Sequence, residues 1–154
     1  MSKVHHYQCR LDWSGSTADG YEAYDRTHRV SCPPAGAELR LSGDPAFGGN
    51  SDLLNPEQLL LAAASSCQML SFLAYAARAR IDVVSYVDEA AGVMPEDDKP
   101  MRITEIVLRP RIVIAGDADE ERVRHFVERA HEACFIANSL KTEITIEARI
   151  EFDT

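Results

Sequence analysis

Basic residues are scarce in this 154-residue chain, 16 Lys and Arg against 25 Asp and Glu, for a formal charge of −9. No stretch gathers those cations beside aromatic side chains, which sets aside nucleic acid and anionic membrane surfaces as partners. Cysteine is sparse too. Cys9, Cys32, Cys67 and Cys134 include no C-x-x-C pair and no spacing that would join them to histidines around a metal. His125 and His131 stand six residues apart, not the three or four that put two ligands on one helical face. No apolar core region follows Met1, so no signal peptide is expected and the expected compartment is the reducing cytoplasm. Repeats and low-complexity linkers are absent. With 45% hydrophobic and 27% charged residues, the composition excludes a disordered tail and a disulfide-built miniprotein. The expectation is a single domain over residues 1–154.

What is present is one long apolar run, from Leu59 to Ala77. At ~20 residues it is long enough to cross a bilayer. It also holds Ser65, Ser66, Gln68 and Ser71 and leans on alanine, which favours a buried central helix. Its start is well marked: Asn55 can cap, Pro56 suits the first helical position, and Glu57 suits the positive end of the dipole. The helix should continue to about Arg80, and with almost no polar face it should be surrounded by protein on most sides.

Around it the sequence reads as strands. Tyr7 to Trp13 alternates, putting Tyr7, Cys9, Leu11 and Trp13 on one face and Cys9 toward a core. Turns at Ser14-Gly15 and Asp19-Gly20 precede strands over Tyr21–Val30 and Glu38–Leu41, parted by Pro33-Pro34-Ala35-Gly36. Ser42 to Asn50 is a loop. Val83–Val93 and Ile103–Ile114 read as two further strands, the second with Ile106, Leu108, Ile112 and Ile114 on one face and an edge or bulge at Pro110. Gly116-Asp117 opens an amphipathic second helix, with Val123, Phe126, Val127, Ala130 and Cys134 at helical spacing. Glu143–Phe152 is the last strand. The fold class is α+β, in the order βββ-α-ββ-α-β.

Two thiols invite a chemical reading. Cys67 follows the small residues Ala62 to Ser66, which leave room for another element or a substrate; it is equally a buried small hydrophobe. Cys134 ends the second helix on its apolar face, with the same two readings. Cys9 and the loop residue Cys32 look structural or incidental.

The stretch Asn55-Pro56-Glu57-Gln58-Leu59-Leu60-Leu61-Ala62-Ala63-Ala64-Ser65-Ser66-Cys67 resembles the signature of the OsmC/Ohr family of thiol-dependent organic hydroperoxide reductases. Ala133-Cys134-Phe135-Ile136-Ala137-Asn138-Ser139 resembles that family's second-cysteine motif. The resemblance implies antiparallel sheets around two central helices in an intertwined homodimer, with active sites at the subunit interface. It makes Cys67 the thiolate that attacks a peroxide and becomes a sulfenic acid, and Cys134 the resolving thiol that converts it to a disulfide. No metal, haem or flavin is implied, and an external dithiol or lipoyl group would be the reductant. A desolvated thiolate needs a nearby cation. In the family an arginine held by the glutamate of Asn-Pro-Glu supplies it, which gives Glu57 an orienting role. Many relatives carry that arginine in the preceding loop, where this chain reads Asp44-Pro45-Ala46-Phe47-Gly48-Gly49. Arg26 is therefore the candidate, with Arg29 and Arg40 as alternatives. Glu57 and Cys67 are ten residues apart, ~15 Å along an uninterrupted helix, so they meet through an arginine, through a late helix start or across a subunit boundary. The apolar surroundings of Cys67 favour alkyl or fatty-acid hydroperoxides over hydrogen peroxide. The competing reading is an OsmC-like protein that keeps a hydrophobic pocket for an acyl or aromatic ligand with weak or no peroxidase activity; a redox sensor acting on a protein partner is a third.

Overall fold

The computed structural model describes residues 1–153, and they group into two units, residues 1–59 and residues 60–153.

In the first unit, β1 (Arg10–Asp12), β2 (His28–Ser31) and β3 (Glu38–Leu41) form an antiparallel sheet in that order. The register runs Arg10↔Ser31 to Asp12↔Arg29 and His28↔Leu41 to Ser31↔Glu38. β3 occupies the residues expected of it. The strand expected over Tyr7–Trp13 shrinks to three residues, and Cys9 is exposed rather than turned into a core. The alternation is real, but the chain places no apolar layer on that face: Tyr7 and Leu11 are exposed as well. The strand expected over Tyr21–Val30 survives only from His28. Gly20 has a positive φ of 93°, Ala23 N–H donates to the Gly20 carbonyl, and Tyr21–Tyr24 folds into a turn. A short 3-10 turn at Pro45–Phe47 interrupts the loop that follows β3. Asp44 caps it, Oδ1 accepting from Ala46 N–H at 2.7 Å.

The onset of helix α1 (Pro56–Arg78) lies where the sequence put it. Asn55 Oδ1 accepts from Gln58 N–H at 2.9 Å, and Gln58 Oε1 accepts from Asn55 N–H at 3.0 Å. This reciprocal box satisfies two backbone donors that would otherwise be orphaned.

The second unit takes α1 to its end. Arg80 N–H donates to Ala77 and Ile81 N–H to Ala76, a Schellman closure that puts Arg80 in the left-handed region at φ 59°. The chain continues through β4 (Asp82–Asp88), β5 (Ala91–Val93), β6 (Glu105–Leu108), β7 (Pro110–Ala115), α2 (Glu120–Ala133), β8 (Glu143–Ile146) and β9 (Arg149–Asp153). Each of the three long strands read from the sequence is thus broken once, and its halves belong to different sheets, β4-β7-β9 and β5-β6-β8. The break at Arg109 has a clear cause. Pro110 carries no N–H for the ladder, and Arg109 N–H turns instead to Asp88 Oδ1 at 2.6 Å. The sheets are also not wholly antiparallel as expected. β8 joins β6 and β9 joins β7 in parallel, because α2 forms a crossover between β7 and the returning chain.

Burial across the break keeps one parity: Ile106, Leu108, Pro110, Ile112 and Ile114 are all inside. Two cores result. Phe72 and Ala76 of α1 pack with Ile112, Ile114, Val123, Val127 and Ala130; Ala64 packs with Ile103, Ile106 and Leu108. Ala64, Gln68, Phe72 and Ala76, spaced by four, are the only buried residues of α1. The helix is therefore covered along one stripe, not on most sides. Ala62, Ser66 and Leu70 stay exposed, Leu70 at 60%, because the core residues of this unit pack against the opposite stripe, Ala64, Phe72 and Ala76. By length and composition α1 would suffice to cross a membrane, with a mean hydropathy of 1.6.

Candidate thiol site

Cys67 sits midway along α1 and is half-buried; Cys134 caps α2 at its C-terminal end and is 1% exposed. At Cys134 the backbone leaves the helix for extended geometry, its N–H donating to the His131 carbonyl at 3.2 Å. The next residues curl into a 3-10 turn, Ala137–Ser139, which brings Ala137 N–H to 3.5 Å from the Cys134 sulfur. The Cys67 thiol lies close enough to Cys134 to perturb it. Burial pushes the Cys134 thiol up, the Ala137 N–H works against that, and the neighbouring Cys67 thiol raises it further. The balance of these effects keeps the Cys134 thiol above its ordinary range.

The helices that carry the thiols are fastened beside them. Gln68 Nε2 donates to the Val127 carbonyl of α2 at 3.0 Å, a buried bond one residue from Cys67. On the other side, Ser65 Oγ donates to Asp88 Oδ2 at 2.5 Å, and Asp88 also takes the Arg109 N–H. Sequence adjacency therefore sets Cys67 between two anchors, which limits how far its Cα can drift from Cys134.

A cleft of about 320 Å³ opens from Cys67, floored by Leu70, Ser71, Ala74 and Arg78 of α1, with Phe135 beside it. Cys67 and Arg78 are eleven residues apart, three turns of helix, so they share a face with ~16 Å of rise between them. The cleft is apolar along its length, with a thiol at one end and a guanidinium at the other. Phe135 is 79% exposed. Arg78 enters no ion pair among the described residues. Sequence reading did not single out Arg78 or Phe135, although the spacing 67, 71, 74, 78 carried the signal.

The other expected site residues, Arg26 and Glu57, belong to the first unit. Arg26 lies just before β2 and not within a strand. Its Nη1 donates to the Tyr24 carbonyl at 2.9 Å and Nη2 to the Tyr21 carbonyl at 2.7 Å. Its guanidinium carbon stands 3.9 Å from the Tyr24 ring centre and 4.7 Å from that of Tyr21, a cation–π sandwich. It forms no ion pair with Glu57 among the described residues. Arg29 pairs with Glu38 at 3.7 Å, and Arg40 lies opposite Arg29 in the sheet register. Among the described residues no group of three or more His, Cys, Asp or Glu side chains is placed to hold a metal ion.

Comparison with known proteins bears on the fold and the family. Residues 48–149 match the family described as OsmC-like protein. A solved OsmC-like protein of unknown function from Vibrio cholerae is 30% identical, with a TM-score of 0.86 over 95% of this chain and 100% of that one. An organic hydroperoxide resistance protein from Elizabethkingia anophelis, solved with thiocyanate bound, shares the fold at 18% identity, with a TM-score of 0.72 over 99% of this chain and 100% of its own. Among curated sequences, the uncharacterized protein YmaD of Bacillus subtilis is 21% identical over 96% of this chain and 95% of its own.

Proposed function

We propose that this chain, which belongs to the OsmC-like protein family, is a cysteine-based peroxidase that reduces organic hydroperoxides to alcohols. The observation that carries this reading is the pair formed by a half-buried Cys67 at the end of an apolar cleft and a buried Cys134 beside it. The Cys67 thiolate attacks the terminal peroxide oxygen; an S–O bond forms, the O–O bond breaks, and the alkoxide leaves as the alcohol after taking a proton. Cys67 is now a sulfenic acid, oxidised by two electrons. The Cys134 sulfur then attacks Cys67; hydroxide departs and leaves as water with the proton from Cys134, and a disulfide closes. An external dithiol or a lipoyl group returns the two electrons and two protons. No metal, haem or flavin takes part.

The division between the thiols follows from their settings. Cys67 borders the cleft and so meets substrate; Cys134 is buried beside it, with its thiol pushed up chiefly by burial. The family resemblance implies an activating guanidinium oriented by Glu57; Arg26 is the candidate for it, with Arg29 and Arg40 as alternatives, and loss of turnover in Arg26→Gln tests that role. The exposed stripe of α1 at Ala62, Ser66 and Leu70 supports a homodimer in which a second copy covers it, in line with the dimeric habit of the family. Light scattering giving the mass of one chain would refute the dimer.

The test of the function is steady-state reduction of cumene hydroperoxide against hydrogen peroxide with dithiothreitol as donor. The cleft's apolar floor predicts a clear preference for cumene hydroperoxide; equal rates would remove the substrate assignment. No turnover of either, together with saturable binding of a fatty acid, would replace the peroxidase with the ligand-binding reading.

A further inference from the structure

The chain holds a second pair of thiols that the peroxidase reading does not use. The β1–β2 ladder ends at Arg10↔Ser31, and continuing that antiparallel register by one step sets Cys9 against Cys32. Residues directly opposed in such a ladder have Cα atoms about 4.5–5.5 Å apart, inside the range of about 4.4–6.8 Å over which a disulfide closes. The neighbouring Cys32 thiol pushes the Cys9 thiol up. Both are exposed, and they open onto a groove of about 850 Å³ with Tyr7, Pro33 and Pro34. The bend that follows is tied by Ala35 N–H donating to the Cys32 carbonyl at 3.1 Å.

We propose that Cys9 and Cys32 form a redox-active dithiol that closes to an intrachain, cross-strand disulfide by exchange with a low-molecular-weight disulfide such as oxidised glutathione. One thiolate attacks the glutathione disulfide, forming a mixed disulfide and expelling one glutathione thiolate. The second cysteine thiolate attacks the protein sulfur of that intermediate and expels the other. The protein loses two electrons and two protons, and one oxidised glutathione becomes two reduced molecules. Closing the bond locks β1 to β2 at the outer end of their ladder; reduction releases it. The inference stands apart from the chemistry at Cys67.

The test uses Cys67→Ser/Cys134→Ser, which leaves only this pair, equilibrated in glutathione redox buffers, quenched by alkylation and read by peptide mapping. The expected product is a Cys9–Cys32 disulfide whose ratio to dithiol in the folded protein exceeds that of the same chain in urea by about tenfold or more. A ratio unchanged by folding, glutathione adducts without ring closure, or pairing between chains would overturn the proposal. The wild-type chain, mapped in parallel, provides the same readout if the double variant fails to fold.

Discussion

The guanidinium of Arg26 fills the space that a side chain at position 48 would need. A Cβ built on Gly48 would lie 2.9 Å from Arg26 Cζ and 3.0 Å from Nη1, and Gly48 itself has φ +79°. The absence of an arginine from this loop and the seating of another against it are therefore one fact. Gly48→Ala should destabilise the protein by about 1–2 kcal/mol through the left-handed backbone alone, and by more with Arg26 in place. In an Arg26→Ala background the cost should shrink by at least about 0.5 kcal/mol. Urea unfolding of the four proteins in the cycle measures the coupling, and strict additivity would mean that Arg26 moves aside freely.

Unequal roles for the two site thiols give unequal mutants. Cys67→Ser should abolish turnover, whereas Cys134→Ser should consume about one equivalent of peroxide and leave a sulfenic acid that dimedone traps. Stopped-flow consumption and intact-mass analysis read both. Steady turnover by Cys67→Ser would reverse the assignment.

Cys134 also links stability to pH. Its folded thiol is pushed above the ordinary range, chiefly by burial, so the folded chain holds a proton that the unfolded chain gives up earlier. That contribution is complete below the unfolded thiol value of about 8.5 and disappears as pH climbs through the higher folded value. The reduced protein should lose denaturant resistance over that alkaline interval, and Cys134→Ala should give a flatter profile there. Parallel profiles for the two proteins would show that Cys134 titrates alike in both states.

Arg78 lies at the far end of the cleft from Cys67, where it can receive a carboxylate. Arg78→Gln should raise KM for a fatty-acid hydroperoxide by about threefold to tenfold, the range for a solvent-accessible charge contact, and leave KM for cumene hydroperoxide unchanged. An equal effect on both substrates would point to a general change in the cleft.

Arg80 closes α1 at φ 59°, a conformation that costs a residue with a Cβ about 1–2 kcal/mol and glycine little. Arg80→Gly should gain up to about 1 kcal/mol after the added freedom of the unfolded chain is set against it, and raise Tm by about 2–4 °C. Calorimetry decides, and a lower Tm would show that the arginine side chain contributes elsewhere.

The helices were the most legible part of the sequence. Asn55-Pro56 fixed one start through chemistry local to four residues, and the spacing of Val123, Val127 and Ala130 fixed the buried face of α2. Strand faces were legible too, as Ile106 to Ile114 show. Strand lengths were not, because the break at Arg109 depends on a hydrogen bond that its N–H donates to Asp88, twenty-one residues away. The burial of Cys9 failed for a related reason: alternation reveals that a face is apolar, but whether anything covers it is decided by other parts of the fold. At the thiol site, the pairing of Cys67 with Cys134 was available only through family resemblance, since nothing local to either residue points to the other. Arg78 was missed because a charge at the end of a helix reads as a complement to the helix dipole.

The strand that passes from β6 into β7 is central in both sheets of its unit, β5-β6-β8 and β4-β7-β9. Each core has one half of that strand as a wall. Neither half can leave its neighbours without dragging on the other across the single residue Arg109. The two cores therefore melt as one cooperative foldon. Amide protons of Ile106 and Ile112, each in a different sheet, should exchange with solvent only through the same global opening, so slow exchange at one reports on the integrity of both.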